Sequence, residues 1–266
     1  MLLPMALLGC AFTPGAGFGD LTEMTVRAAL TPGAARDLGG GELLTQDGYA
    51  VRVDRFELTL GSVDLLALSG GGGGGGGVFD PANPPEGYSL CHGGHCHSDE
   101  GALVDYADIE AELAGGAASF SAVVSLPVNA AADLVGGAVY TLDTSGAGLL
   151  PAADISKLEL GVSDVWLEGV VRRHPDDGWS APLVVDLPLA GALGVGFDLP
   201  LARGEDPTLR IDVAASPDGT LFDGTDFAAR ADADAITLHT LDDPDAAAFA
   251  AALLAVAPAV TVERTP

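Results

Sequence analysis

The sequence predicts a mainly β protein: a β-sandwich, immunoglobulin-like or related, with a short helical insertion and a C-terminal helix. Three observations predict it. Apolar residues alternate with polar ones in short runs along the chain, as in "AVRVDRFELTL" at 50–60. Gly, Pro and Asp-Gly pairs separate these runs at turn-like intervals. Helical start and stop signals occur in two segments only. Hydrophobic residues make up 48% of 266 positions, enough for one large core.

In chain order, "EMTVRAAL" (23–30) reads as a first strand. "DGYAVRVDRFELTLGSVDLLAL" (47–68) opens on an Asp-Gly turn and then alternates. Val51 and Val53 share one phase, while Phe56, Leu58 and Leu60 share the next, so a bulge is expected near Asp54–Arg55. Further strands are expected at "SFSAVVSLPV" (119–128), "PLVVDLPL" (182–189), "LGVGFDL" (193–199), "TLRIDVAA" (208–215), "AITLHT" (235–240) and "AVTVE" (259–263). "DYADIEAELAGG" (105–116) has a capping Asp105, an apolar face of Tyr106, Ile109 and Leu113, and a glycine stop. "DDPDAAAFAAALLAVAP" (242–258) has a cap at Asp243, Pro244 at the first helical position, and a core stripe of Phe249, Leu253 and Val256. "FELTLGSVDL" (56–65) lines up without gaps against "LELGVSDVWL" (158–167). This is either an internal duplication or the generic text of a bent edge strand.

Between about 69 and 118 the strand text stops. Gly70–Gly77 is an unbroken glycine run, and "PANPPEG" (81–87) follows it. Neither can form a packed element, so the segment is a long excursion from the sandwich. It carries "CHGGHCH" (91–97). A two-residue turn at Gly93-Gly94 pairs His92 with His95 and Cys91 with Cys96. Because faces alternate along a strand, both sulfurs fall on one side, within reach of a disulfide. His92, His95 and His97 fall on the other side, with Asp99 next in phase. Three imidazoles and a carboxylate make a first shell for copper or zinc. Reduced Cys91 and Cys96 would instead serve as thiolate ligands beside two histidines. Two further readings stay open. One is a disulfide that pins the loop with no metal. The other is covalent haem c on the C-x4-C-H string, with His97 axial and His92, His174 or His239 as second ligand. His174 lies in a polar turn, "RRHPDDG", and His239 in a strand; both read as ordinary surface or edge residues. Trp166 and Trp179 read as packing residues.

Charge narrows the partners. The chain has 38 acidic and 11 basic residues, so phosphates are repelled and nucleic acid is excluded as a partner. Asp232 and Asp234 echo a cation loop, without the spacing such a loop needs. No dinucleotide fingerprint, P-loop, G-x-S-x-G elbow or H-E-x-x-H is present, and the expectation is a non-enzyme.

The N-terminus reads MLLPMALLGC. Leu2–Leu8 suits the core of a secretory signal, and Leu7-Leu8-Gly9-Cys10 resembles the bacterial lipobox. That resemblance implies a signal peptide at 1–9, lipid on Cys10, and a tether over 10–21 leading to a domain from 22 to 266. It places the chain in the cell envelope as an outer-membrane lipoprotein facing the periplasm or the surface. Its partners there are the membrane, through lipid, and an envelope protein. Two cysteines then remain, as one disulfide requires. "VRVDRFELTLGSVDL" (51–65) resembles the copper-binding proteins associated with methanobactin uptake. Those proteins carry more cysteines, so their disulfides and ligands do not carry over. The expectation is a lipid-anchored, extracytoplasmic copper or zinc protein.

Overall fold

The structure, a computed structural model, describes residues 19–33, 36–68, 80–81, 84, 88–92, 95–98, 103–106, 120–145, 149–150, 153–175, 178–201, 207–230 and 234–266. Among these residues most lie in strands, as the alternation predicts, and two of the three sheets face one another across a common core. One sheet is β10 (Leu149–Leu150), β1 (Gly19–Ala28), β13 (Thr208–Ala215) and β15 (Ala259–Thr265), with β9 (Ala138–Leu142) also on β1. The second runs β14 (Ile236–Leu238), β12 (Ser180–Leu201), β11 (Ala153–Arg173), β4 (Tyr49–Leu68), β3 (Glu42–Leu44), β2 (Asp37–Gly39), with β8 (Phe120–Asp133) also on β4. Met24, Val26 and Ile211 from the first sheet join Phe56, Leu160 and Val185 from the second in that core. Burying each such side chain contributes about 1.5–3 kcal/mol, so the inward phase of each strand fixes its register. A β-sandwich results.

The change of phase in β4 is a bulge. Arg55 pairs with Glu168 and Val53 with Gly169, so Asp54 is the extra residue. The partner strand makes room with glycine: a Cβ on Gly169 would lie 2.2 Å from the Arg52 carbonyl oxygen. At the C-terminus, helix α1 spans Pro244–Leu254. The Asp243 carboxylate accepts from the backbone N–H of Asp245 and Ala246, and pairs with Arg230 at 2.8 Å. Phe249 and Leu253 are fully buried. Val256 lies beyond the helix end, half-buried against the same core.

Several expectations are corrected. Strand β1 starts at Gly19 with Leu21 buried, so the tether cannot extend to residue 21; residues 1–18, Cys10 among them, lie outside the described residues. The runs 182–189 and 193–199 are one strand, β12. Gly191 does not stop it, because its missing side chain leaves room for Leu254 of α1, 2.9 Å from where a Cβ would sit. The 235–240 strand is only Ile236–Leu238, and His239 is exposed just past it. Asp105 also closes a strand, β7 (Leu103–Asp105), which was not expected; Tyr106 directly after it is helical, as the expected helix requires, and residues 107–116 lie outside the described residues. Short elements without a clear alternation were not expected: β2, β3, β9, β10 and the 3-10 turn Gly219–Phe222.

The two similar phrases turn out to be partners. Phe56 pairs with Leu167, and Leu65 pairs with Leu158. Since Phe56 matches Leu158 and Leu65 matches Leu167, exchanging the strands leaves the pairing unchanged, as a local two-fold axis requires. Their outer neighbours obey the same axis. Leu65 pairs with Val124 and Leu167 with Val185; Ser62 pairs with Pro127 and Asp164 with Pro188. The equivalent text is VVSLPV (123–128) on β8 and VVDLPL (184–189) on β12. Hairpins β4–β8 and β11–β12 are thus two copies of one unit, which favours duplication over generic strand text. The second copy turns through residues 174–179, while the first is interrupted by residues 69–119.

Three outcomes are expected. Gly169→Ala forces a backbone shift at the bulge and lowers stability by about 1–3 kcal/mol or more in chemical denaturation. Replacing residues 69–119 by a short Gly/Asn turn leaves a cooperatively folded sandwich with an unchanged near-ultraviolet signature from Trp166 and Trp179. The Arg230 guanidinium holds the Asp243 carboxyl below the usual carboxylate range, first by its hydrogen bond. A depressed folded pKa stabilises above the unfolded value of about 4 and is lost as pH falls through the folded value. Asp243→Asn, which keeps a capping oxygen, is therefore expected to flatten the fall of Tm as pH drops below about 4.

Candidate functional site

The third sheet is small: β5 (Tyr88–His92), β6 (His95–Ser98) and β7. The pairing expected from the Gly93-Gly94 turn is present. His92 pairs with His95, and Cys91 and Cys96 form a disulfide with Cα atoms 4.0 Å apart. Gly93 and Gly94 themselves lie outside the described residues. Further from the turn the ladder slips by one residue, with Ser89 opposite His97 and Tyr88 opposite Ser98. Leu90 absorbs the slip in the left-handed region, at φ 44°, with 74% of its surface exposed. Nothing in CHGGHCH signalled that slip, because glycine or asparagine is the usual mark of a left-handed position.

The two faces separate as the alternation requires. Cys96 is fully buried, with Tyr88, Cys91 and Tyr106 packed against it. On the other face the rings of His92 and His97 lie with centroids 5.6 Å apart, tilted by 44°. A tetrahedral ion about 2.1 Å from each donor nitrogen would set two imidazole centres roughly 5 Å apart, so this spacing fits two positions of such a shell. The ladder puts His95 directly across from His92. The His95 side chain and all of Asp99 lie outside the described residues. Among the described residues no group of three or more His, Cys, Asp or Glu is placed to hold a metal ion. With both sulfurs in one bond, neither thiolate ligation nor a thioether link to haem is available in this state.

The remaining histidines and tryptophans stand apart from the hairpin. His174 is exposed in the turn after β11, joined to Pro175 by a cis peptide. The Tyr49 ring meets Trp179 edge-on at 6.0 Å, and Trp166 lies on the outer face of its sheet below the Arg55 guanidinium. Asp234 is exposed, and Asp232 lies outside the described residues. A cleft of about 520 Å³ is lined by Asp47, Tyr49, Asp223, Thr225, Asp226 and Ala228. Two of its three carboxylates already serve the fold: Asp223 accepts from Arg36 and from the Gln46 N–H, and Asp226 accepts from the Ala229 N–H. Sequence reasoning passed over this cleft, whose only signal was the Asp-rich text at 223–226. No described helix is long and apolar enough to cross a membrane. No family model, curated protein or solved structure matches the chain.

Proposed function

We propose that the chain is a non-enzymatic, lipid-anchored metal-binding protein of the bacterial envelope, holding copper or zinc on the imidazole face of the Cys91–His97 hairpin. The observation that carries this reading is the His92–His97 ring pair, 5.6 Å between centres, on the face opposite the disulfide. The third imidazole of the proposed shell is that of His95, whose backbone pairs with His92. Neutral imidazole nitrogen suits either metal, and the ligand set alone does not choose between them. The disulfide fits an oxidising compartment, which agrees with a signal at 1–9 and a lipid on Cys10. In that setting the sandwich is a carrier, and the excursion at 69–119 presents the ion to whatever donates or receives it.

The test is elemental analysis of protein secreted into an oxidising compartment, paired with titration by Zn2+ and Cu2+. The expected result is about one ion per chain, with binding abolished in the His92→Ala/His95→Ala/His97→Ala triple variant. Binding that survives the triple replacement sinks the site.

A further inference from the structure

We infer that the Cys91–Cys96 bond is a redox switch for the imidazole face: His92 and His97 are held together while the bond is intact and part when it is reduced. This rests on the metal-site reading above and adds its regulation.

Strands β5, β6 and β7 are three to five residues long. Ribbons of that length are marginal unless something packs or ties them. Here both tasks fall to one feature. Cys96 is the fully buried residue of the sheet's apolar cluster, with Tyr88, Tyr106 and its own bonded partner Cys91 around it. The cross-link is therefore also the middle of the small core. The ladder carries a cost besides, since exposed Leu90 is held at φ 44°. Two of the three imidazoles that would bind metal follow a bonded cysteine directly, His92 after Cys91 and His97 after Cys96, and His95 directly precedes Cys96. Opening the bond thus frees the two ligand-bearing positions themselves, not a remote support. By loop-closure entropy a ring this small shifts the balance between closed and open hairpins roughly 30-fold. Apparent affinity falls with the closed fraction, by up to that factor.

The step balances with a dithiol as reductant. Its thiolate attacks Cys91 Sγ, which is half-buried whereas Cys96 is fully enclosed. The S–S bond breaks, and Cys96 Sγ leaves as a thiolate and takes a proton. The second thiol of the reductant then displaces the Cys91 sulfur. Two electrons pass to the protein, which holds two thiols, and the reductant becomes a cyclic disulfide. Re-oxidation runs the sequence backwards.

The experiment compares the oxidised full chain with its Cys91→Ala/Cys96→Ala variant, which cannot supply thiolate ligands. Zn2+ affinity is read by competition with a chromophoric chelator, and zinc-free amide exchange is read at His92 and His95–His97. The expected result is Zn2+ binding weaker in the variant by up to roughly 30-fold, with faster exchange in the hairpin and unchanged exchange in the sandwich. That last readout shows the variant still folds. Equal Zn2+ affinity in the two proteins overturns the switch and leaves the metal site standing. Hairpin exchange that is identical in both overturns the switch whatever the metal does. An oxidised full chain that binds neither Zn2+ nor Cu2+ overturns both readings.

Discussion

The antiparallel ladder between β4 and β11 is the constraint on which the molecule depends. It runs nearly the full length of two long strands, and the inward phases of both strands enter the same core. A one-residue slip would turn Phe56, Leu58, Leu158 and Leu160 out toward water, so the register is over-determined. Local irregularities are then absorbed within the ladder: the extra residue at Asp54 is accommodated by Gly169, whose bare backbone lets the Arg52 carbonyl approach. The outer strands β8 and β12 hang on this pair in equivalent registers. The far ends of the two hairpins are consequently the places where sequence can change without touching the core. One end holds a short turn, and the other carries the Cys/His segment.

The sandwich and the small sheet are stable for different reasons. The sandwich rests on a cluster of apolar side chains contributed by both sheets, capped by α1 against β12. Among the described residues, the hairpin sheet rests on one sulfur–sulfur bond and two tyrosine rings. The first kind of stability depends on water and is indifferent to oxidants. The second depends on redox state. A chain built this way can lose and regain its candidate site while the body of the protein stays folded.

Much of this was legible in the residues. The parity change between Val53 and Phe56 marked the bulge, Asp243-Pro244 marked the helix start, and the two glycines marked the turn that brings Cys91 to Cys96. Those signals are local, and local chemistry decided them. What stayed hidden was non-local. The text around Ala190-Gly191-Ala192 looks like a break, yet pairing with β11 carries the strand through it. The parallel contacts of β1 with β13 and of β12 with β14 join segments far apart in sequence, and no turn announces them. The match of VVSLPV to VVDLPL surfaced only once the strands beside it were aligned. For the site, the side on which the histidines fall followed from alternation, whereas the slip at Leu90 did not.

The two equivalent outer strands meet different fates at their free sides. β12 is covered over Leu183–Val185 by β14, while β8 has no strand on that side among the described residues. Pro127 offers no amide hydrogen there, and Asn129, at φ 48°, breaks the run of extended backbone. A neighbouring molecule would find the row of donors and acceptors cut short at Pro127 and Asn129, leaving only its Phe120–Leu126 end to extend. The edge strand thus carries its own limit on how far a second chain could zip along it.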